Sequence, residues 1–463
     1  MPSPHPSLVS AFASKIGVAR VDITPPIGIY ARSWGLAKHD VAEGIHRPLT
    51  ATVCALGDSP APMVLISVDL GWWKSREDEA YLRSGLLSAL SLPESHLLIS
   101  FSHTHAGPSL SRDEAQQPGG ELITPYLAFL KEQLIAAARA ALQTRQSAHL
   151  SWRWGRCDLA THRDLPEPGT SRFVVGYNPQ ERADDTLLVG QVIAASDGKT
   201  IATLVNYACH PTTLAWDNRL ISPDFPGAMR EVVERETQSP CLFLQGASGE
   251  LAPAEQYKGD TAVADRHGRR LGHAVLSVLN AWPDQQQQFS EVVESGAALA
   301  TTRTLPFPSS TRQHAECAPL ELALKPMPSI AEIERELQAC TDRTTSERLR
   351  RARGVRRIVG EGSHYAMPLW IWKLGEAYLI ATPSEAYSAL QETVRHHFPQ
   401  RPIAVLNVTN GYVGYLPPSE HASRDQYSVW QSPFQSGSLE KVIHHARSRV
   451  ADSLAKTAAI LPS

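Results

Sequence analysis

Short apolar runs alternate along the chain with longer stretches in which apolar residues recur at helical spacing. Proline, glycine and Asp-Gly signals interrupt the short runs. The pattern predicts strands in "IGVARVDIT" from Ile16, "TATVCAL", "PMVLISVDL", "HLLISFSHTH", "CLFLQGASGELAP", "LWIWKLGEAYLIATP" and "IAVLNVTNGYVGYLP". Two further runs, "TLLVGQVIAA" and "TIATLVNYAC", flank the turn "SDGK" and predict a hairpin.

Helical spacing predicts long helices between these strands. They lie in "SREDEAYLRSGLLSAL", which opens on a capping serine, in "ELITPYLAFLKEQLIAAARAALQTR", in "SEAYSALQETVRHHF", and from about Ser438 to the end of the chain. Strands that alternate with helices, together with an Asp-Gly hairpin, favour an α/β fold: a layered mixed β-sheet with flanking helices.

The same pattern suggests one domain with an excursion. We expect residues 1–15 to be a flexible N-terminus and residues 16–463 to form a single catalytic domain. Residues 306–360 differ, because proline-rich punctuation there precedes a charged amphipathic pattern, "SIAEIERELQACTDRTTSERLRRARGVRR". This helical excursion is interpreted either as a cap or brace on the core or as a solvated helical hairpin with no role at a site.

Composition narrows the class of protein. The 463 residues are 42% hydrophobic and 20% charged, with a net charge of -3, which gives no electrostatic bias toward nucleic acid or an anionic membrane. No apolar stretch approaches the ~18 residues of a membrane-spanning helix. The six cysteines lack CxxC spacing and no secretory signal is visible, so a reduced cytoplasmic protein is expected, with a trimmed secreted precursor as the alternative.

Candidate chemistry lies where apolar runs end. A rigid sheet presents side chains to functional loops at such positions. Four polar clusters follow apolar runs: His103 with His105, Cys209-His210-Pro211, Ser384-Glu385, and Tyr412 with Tyr415. A metal site built from them would take its ligands from distant parts of the sequence.

The two histidines of "FSHTHAGP" raise three alternatives. On a strand His103 and His105 would share one face, roughly 7 Å apart along the chain. They are then two metal ligands, one ligand with a catalytic partner, or two ordinary polar residues at a strand end.

The other clusters also have structural interpretations. His210 before a proline fits a turn. Glu385 fits the first turn of a helix, where the dipole favours a carboxylate. Tyr412 and Tyr415 fit core or rim aromatics, so no cluster is decisive alone.

Taken together, six segments resemble the neutral, non-lysosomal ceramidase family of zinc amidohydrolases, in that family's order. They span Gly17 to Tyr427. The segments are "GVARVDITPPIG", "FSHTHAGP", "TLVNYACHPTTL" with "ISPDFPGAM", "LQGASGELAP", "ATPSEAY" and "NGYVGYLPPSEHASRDQY".

The resemblance implies a site for one catalytic Zn2+. The implied metal ligands are His103, His210, Glu385 and Tyr415. The implied catalytic groups in the pocket are His105, Arg163 of "ATHRDLP", and Tyr427. Two imidazoles, a carboxylate and a phenol oxygen suit zinc, and also manganese or iron.

The implied reaction is hydrolysis of an amide bond in a ceramide-like N-acyl substrate. Zinc lowers the pKa of a bound water to about 7, and this water would attack the carbonyl. Arg163 and Tyr427 would stabilise the developing oxyanion, and His105 would pass a proton to the leaving amine. The expected partner is therefore a small-molecule or lipid-like substrate.

Two departures from the family pattern keep other substrates open. Gly246 stands where the family has a serine, with Ser248 two positions later, and the sequence lacks the family's C-terminal immunoglobulin-like domain. A smaller soluble amide, ester or lactone is the first alternative. The second is a non-catalytic metal-binding protein on a degenerate hydrolase fold.

Overall fold

The computed structural model describes residues 11–58, 61–281, 286–305 and 308–458, with the backbone alone at 286, 287, 304, 305, 457 and 458. The strands in the first part of the chain are β1 (Ala11–Asp22), β2 (Gly44–Ile45), β3 (Thr50–Leu56), β4 (Met63–Val68), β5 (Leu97–Phe101), β6 (Gln146–Arg156), β7 (Ala160–His162), β8 (Asp164–Pro166), β9 (Arg172–Val175), β10 (Thr186–Ala194), β11 (Thr200–Tyr207), β12 (Leu220–Ile221) and β13 (Cys241–Gln245). The later strands are β14 (Leu251–Pro253), β15 (Gln286–Glu294), β16 (Ala298–Leu305), β17 (Ser309–Ser310), β18 (Gln313–Cys317), β19 (Leu320–Ala323), β20 (His364–Met367), β21 (Trp370–Leu374), β22 (Ala377–Ala381), β23 (Glu385–Ala386), β24 (Ile403–Leu406), β25 (Tyr415–Leu416) and β26 (Asp425–Gln426).

The helices are α1 (Arg76–Leu90), α2 (Ile123–Gln143), α3 (Phe225–Thr237), α4 (Thr261–Asn280), α5 (Ile330–Ala339), α6 (Arg343–Val359), α7 (Ala389–His397), α8 (Tyr427–Gln431) and α9 (Ser438–Ala458). The predicted capping serine of α1 is confirmed, because the side chain of Ser75 accepts a hydrogen bond from the backbone of Asp78. No helix in the described part of the chain combines the length and the apolar character that crossing a membrane requires.

Two sheets form the centre of the fold. The larger, nine-stranded sheet runs in the order β13-β11-β10-β6-β1-β3-β4-β5, with β17 beside the start of β1. Its β10–β11 hairpin is the one predicted around "SDGK". The smaller sheet runs β18-β21-β22-β24, and both sheets mix parallel with antiparallel pairs.

The sheets stack face to face because alternate residues of their strands are apolar on both sides. Cys54 and Leu56 of β3 pack in one buried cluster with Trp370 and Trp372 of β21. The intervening residues, such as Val53, face a second cluster under α1 and α2. Helices α3 and α4 cover the rest of the larger sheet, while α6, α7 and α9 cover the outer face of the smaller sheet.

This four-layer arrangement confirms the predicted layered mixed sheet with flanking helices. The sequence pattern predicted one sheet and did not reveal that two sheets stack. Two boundaries also differ: β1 begins at Ala11 rather than Ile16, and α7 begins at Ala389 rather than near Ser384. Residues 1–10 of the predicted flexible N-terminus lie outside the described residues. All six cysteines are free thiols, and four of them are buried.

Candidate functional site

The histidine loop follows β5 and is not part of it. The strand ends at Phe101, and His103 adopts a left-handed backbone with φ of 67°. Its N–H donates to the carbonyl oxygen of Leu70 at 2.9 Å. The expectation that strand alternation places the two histidines on one face is therefore wrong. Loop geometry nevertheless brings the rings of His103 and His105 to 4.9 Å between centroids.

The imidazoles of His103 and His210 are oriented by backbone carbonyls. His103 Nδ1 lies 3.0 Å from the carbonyl oxygen of Gly71, and His210 Nδ1 lies 2.6 Å from that of Ser248. Each Nδ1 therefore carries the hydrogen, as in metal-binding histidines. The Nε2 atoms converge on one oxygen, Glu385 Oε2, at 3.2 Å and 2.7 Å.

Glu385 and Tyr415 are brought together by a short parallel ladder. Strand β23 pairs with β25 in a register that sets Glu385 opposite Tyr415. The second carboxylate oxygen, Oε1, accepts a hydrogen bond from the phenol of Tyr412 at 2.7 Å. Because α7 begins only at Ala389, the interpretation of Glu385 as a first-turn helix carboxylate is wrong.

The atoms at the centre of this cluster are suited to bind a cation. With hydrogen on each Nδ1, His103 Nε2, His210 Nε2 and Glu385 Oε2 are three lone-pair atoms that face one another in a buried space. Burial and the charge of Arg163 lower the pKa of His210 to about 4, so this imidazole is neutral near pH 7. Burial opposes ionisation of Glu385, yet its histidine contacts lower its pKa well below the ordinary value. The donor set therefore fits a divalent metal ion.

His105 stands beside this centre. Both of its ring nitrogens are buried and unpaired among the described residues. Its ring packs between Trp34 and Trp72, at centroid distances of 5.2 Å and 4.9 Å. Burial and the neighbouring histidines lower its pKa well below the ordinary value, so it is a neutral imidazole near pH 7.

The structure leaves two roles open for His105. One ligand nitrogen from each of His103, His105 and His210 lies within 4.8 Å of the others, which makes His105 a candidate third ligand. The Glu385 carboxylate, however, contacts only the other two imidazoles. The ligand set His103, His210, Glu385 and Tyr415 is thus brought to one place, and its role as a ligand set stays a prediction.

Arg163 lies buried beside the predicted ligands. Its Nη2 donates to the carbonyl oxygen of Gly249 at 2.7 Å and to the phenol of Tyr415 at 3.0 Å. The same nitrogen is 3.2 Å from His210 Nε2. The predicted proximity of this arginine to the cluster is therefore observed.

Tyr427 is oriented by an arginine that the sequence did not single out. Arg351 Nη1 donates to the phenol oxygen of Tyr427 at 2.8 Å. Since the oxygen accepts this bond, its own hydrogen is available to a group in the cavity. The ring of Tyr427 lies 5.6 Å from that of Tyr415.

A cavity of about 620 Å³ opens above the cluster. His105, Arg163, Tyr415 and Tyr427 line it. Its remaining aromatic walls are Trp34, Trp216, Tyr257 and Trp430. Concave sites with aromatic walls and a few convergent polar groups are typical of small-molecule binding.

The predicted helical excursion is one wall of this cavity. The amphipathic segment forms two helices, α5 and α6, whereas the earlier part of the excursion contains the strands β18 and β19. Helix α6 lines the cavity through Thr344, Glu347 and Arg348. A carbon placed on Gly35 would approach Thr344 to 3.1 Å, so the loop carrying Trp34 packs closely on α6. Helix α6 thus packs against the cavity, and its role as a cap or brace at the site stays a prediction.

The glycine that departs from the family pattern has no room for a side chain. A Cβ on Gly246 would lie 2.9 Å from backbone atoms of Ala208. The hydroxyl of Ser248 is buried and accepts a hydrogen bond from Gln245 Nε2 at 2.6 Å. Neither residue lines the cavity, so Ser248 does not supply the hydroxyl missing at Gly246.

The loop after Gly246 is held to the Glu385 segment by a buried carboxyl group. The backbone N–H of Ser388 donates to Glu250 Oε1 at 2.8 Å, and the hydroxyl of Ser388 donates to the same oxygen. Burial raises the pKa of Glu250 to about 8, although these donors favour the charged form.

Glu250 therefore makes stability depend on pH. An unfolded glutamate titrates near pH ~4.3, so between about pH 4.5 and 8 only the folded state keeps the proton, and the free energy of unfolding falls as pH rises. We expect Glu250→Gln to remove a fall of about 3 kcal/mol between pH 5 and pH 8, measured by urea unfolding. The exposed control Glu121→Gln should keep the fall, and an unchanged slope in Glu250→Gln would contradict the assignment.

Several site residues were missed by sequence reasoning. Tyr412 was seen only as part of a cluster, and its contact with Glu385 was not predicted. Trp34 and Arg351 carried no motif, and their positions depend on how distant segments pack. The available signal was weak: a tryptophan in a polar loop, and an arginine on an otherwise solvated helical pattern.

Residues 14–261 match the family model described as neutral/alkaline non-lysosomal ceramidase, N-terminal. The chain belongs to the neutral/alkaline ceramidase family. The family resemblance deduced from six sequence segments is therefore confirmed, and membership of the ceramidase family implies a hydrolase.

Solved ceramidase structures share the fold of this ceramidase-family chain. One, described as a ceramidase complexed with C2, has a TM-score of 0.66 and 13% sequence identity, covering 96% of this chain and 76% of its own. A second, neutral ceramidase from Pseudomonas aeruginosa, has a TM-score of 0.62 and 14% identity, covering 96% and 75%. At this identity the similarity shows a common fold.

Proposed function

We propose that this protein is a zinc-dependent hydrolase that cleaves the amide bond of ceramide-like N-acyl substrates. The observation that carries the proposal is that two imidazole nitrogens both lie within 3.2 Å of one carboxylate oxygen, at the base of an aromatic cavity. The names of the two solved relatives, both ceramidases, support an amide substrate.

His103, His210, Glu385 and Tyr415 would hold the metal. When bound there, zinc supplies a Lewis acid that polarises a carbonyl oxygen and acidifies water near neutral pH. The carbonyls of Gly71 and Ser248 keep the imidazoles in the tautomer that a metal requires.

The chain's own groups supply the remaining functions. Arg163 places a fixed positive charge next to Tyr415, where it would stabilise negative charge that develops on a carbonyl oxygen. Tyr427 has a free hydroxyl hydrogen for the same purpose, because Arg351 already donates to its oxygen. His105 is a neutral imidazole whose ring nitrogens form no hydrogen bond with the described residues, and it would accept a proton and return it to the leaving nitrogen.

A smaller soluble amide, ester or lactone is the second candidate substrate. It is favoured because no serine is found among the described residues that line the cavity, and Gly246 stands where the family pattern has a serine. The aromatic walls would bind a short acyl or aryl group as well as part of a long chain.

Metal analysis combined with a substrate panel tests the proposal. We expect about one zinc per chain, loss of at least ~99% of amide hydrolysis after chelation, and recovery on adding zinc. The panel compares long-chain ceramide with short acyl amides, esters and a lactone. Exclusive turnover of ceramide would remove the second candidate, and full activity after verified metal removal would refute zinc dependence.

A further inference from the structure

Among the described residues, three arginines line the cavity, and two of them have several donors bound by protein acceptors. Arg163 binds the carbonyl oxygen of Gly249 and the phenol of Tyr415. Arg351 donates to Tyr427, to the backbone carbonyl of Ser33, and from Nε to Glu347 at 3.2 Å. Arg163 lies beside the predicted metal ligands, where the proposed function already uses its charge, and Arg351 is occupied by three protein acceptors, so neither is assigned a second group of the substrate.

Arg348 is the third arginine, and it is engaged differently. Its side chain is exposed, and its guanidinium carbon lies 4.0 Å from the ring centroid of Trp430. Such a contact uses the flat face of the guanidinium and leaves its N–H donors available at the edges. In the described part of the chain, no carboxylate forms an ion pair with Arg348.

The carboxylate among the described cavity-lining residues does not compensate this charge. Glu347 is buried and bonded to Arg351 on the same helix. Burial alone would raise the pKa of Glu347, but the positive charges of Lys74, Arg351 and Arg32 outweigh this effect and lower it. Among the described residues of the cavity lining, Arg348 is therefore a cation without an ion-pair partner, and it stacks on an aromatic ring.

We propose that the substrate of this site carries an oxyanion group, such as a carboxylate, apart from the scissile bond, and that Arg348 binds that group. The inference rests on the proposed function, because it takes the His105 and Arg163 region as the position of the amide. Guanidinium matches a carboxylate through two parallel N–H donors, and Trp430 holds it ready for that contact. The aromatic walls would contact the apolar part of the substrate that lies between its scissile amide and its oxyanion group.

The proposal separates this chain from hydrolases of uncharged amides. A neutral lipid amide gains nothing from Arg348, whereas an anionic amide gains a charge-assisted contact. Because Arg348 is exposed, solvent screens the contact, and we expect a preference of about tenfold rather than a larger one.

The test uses three substrates with one acyl length. N-octanoylethanolamine is neutral, N-octanoylglycine carries a carboxylate on the amine side, and N-(7-carboxyheptanoyl)ethanolamine carries it at the end of the acyl chain. We expect kcat/KM for one of the two anionic amides to exceed that for the neutral amide by about tenfold. Arg348→Glu should abolish this preference, because kcat/KM for the favoured anionic amide should fall by about tenfold or more relative to that for the neutral amide.

The control is Arg335→Glu, which makes the same charge reversal on an exposed position of α5 outside the cavity lining. It should keep the native preference. Equal turnover of all three amides by the native protein, or an equal loss of preference in both variants, would overturn the inference.

A binding measurement separates failure of the inference from failure of the proposed function. Quenching of tryptophan fluorescence by each amide reports binding without turnover, since Trp34, Trp216 and Trp430 line the cavity. An Arg348-dependent preference for an anionic amide, without cleavage of any amide, would refute the hydrolase and support anion recognition. Cleavage and binding that do not depend on the charge of the amide substrate would support the hydrolase and refute anion recognition.

Discussion

Replacing His210 by alanine is expected to abolish zinc binding and to lower kcat/KM for amide hydrolysis by at least about a thousandfold. The substitution removes one of the two imidazole nitrogens that face Glu385 and leaves the buried carboxylate with a single imidazole contact. The measurement is metal content by mass spectrometry together with initial rates. His103→Ala should behave in the same way, because its Nε2 occupies the equivalent position.

His105→Ala is the informative contrast. If His105 transfers protons, the variant should retain about one zinc per chain and lose roughly a hundred- to a thousandfold in kcat. If His105 is a ligand, metal and activity are lost together. We expect the first result, because Glu385 contacts His103 and His210 but not His105.

His149 on β6 provides the control, since it lies outside the cluster and outside the cavity lining. His149→Ala should keep both metal and rate. Undiminished zinc and turnover in both His103→Ala and His210→Ala would refute the metal assignment, whatever His105 does.

The helices and strands of the fold could be predicted from the sequence because they depend on local pattern. The Ser75 cap, the β10–β11 hairpin and α9 follow from side-chain spacing and turn residues within short windows. The stacking of the two sheets could not be predicted from the sequence, because it depends on which faces of distant strands meet. Trp372 of β21 packs with Leu56 of β3 across more than half the chain length.

The residues of the site were predicted better than their geometry. The family resemblance named the residues around the cluster, but strand alternation gave the wrong local structure for His103, whose positive φ places it in a loop. Glu385 was expected near a helix start, and instead a two-residue ladder pairs it with Tyr415. Both errors arise where long-range contacts override local preference.

The cavity wall formed by α6 shows a different limit of prediction from sequence. Its charged pattern left open a cap or brace and a solvated helical hairpin, because the pattern does not tell which polar face meets the protein. Arg351 is inward-facing because it donates to Tyr427 and to the Ser33 carbonyl, which belong to two distant segments, and to Glu347 one turn earlier on α6. A polar residue with several distant partners leaves no periodic signal in the sequence.

A buried ion pair supports the loop that orients His103, and its removal should have the largest effect on stability. Asp69 follows β4, and both of its oxygens bind Arg230 of α3, at 2.7 Å and 2.5 Å. Both side chains are almost fully buried. The next residues, Leu70 and Gly71, accept hydrogen bonds from the backbone and ring of His103.

We expect Asp69→Ala to lower the free energy of unfolding by about 3–5 kcal/mol, because Arg230 would remain charged and buried without a partner. The ion pair of Arg156, which is exposed, with the half-buried Asp185 is the control, and Asp185→Ala should cost less than ~1 kcal/mol. Urea unfolding at fixed metal content measures both. The double variant Asp69→Leu with Arg230→Met should recover most of the loss, since it removes both charges from the interior. A cost for Asp69→Ala no larger than that for Asp185→Ala would show that the pair does not anchor α3 to the sheet.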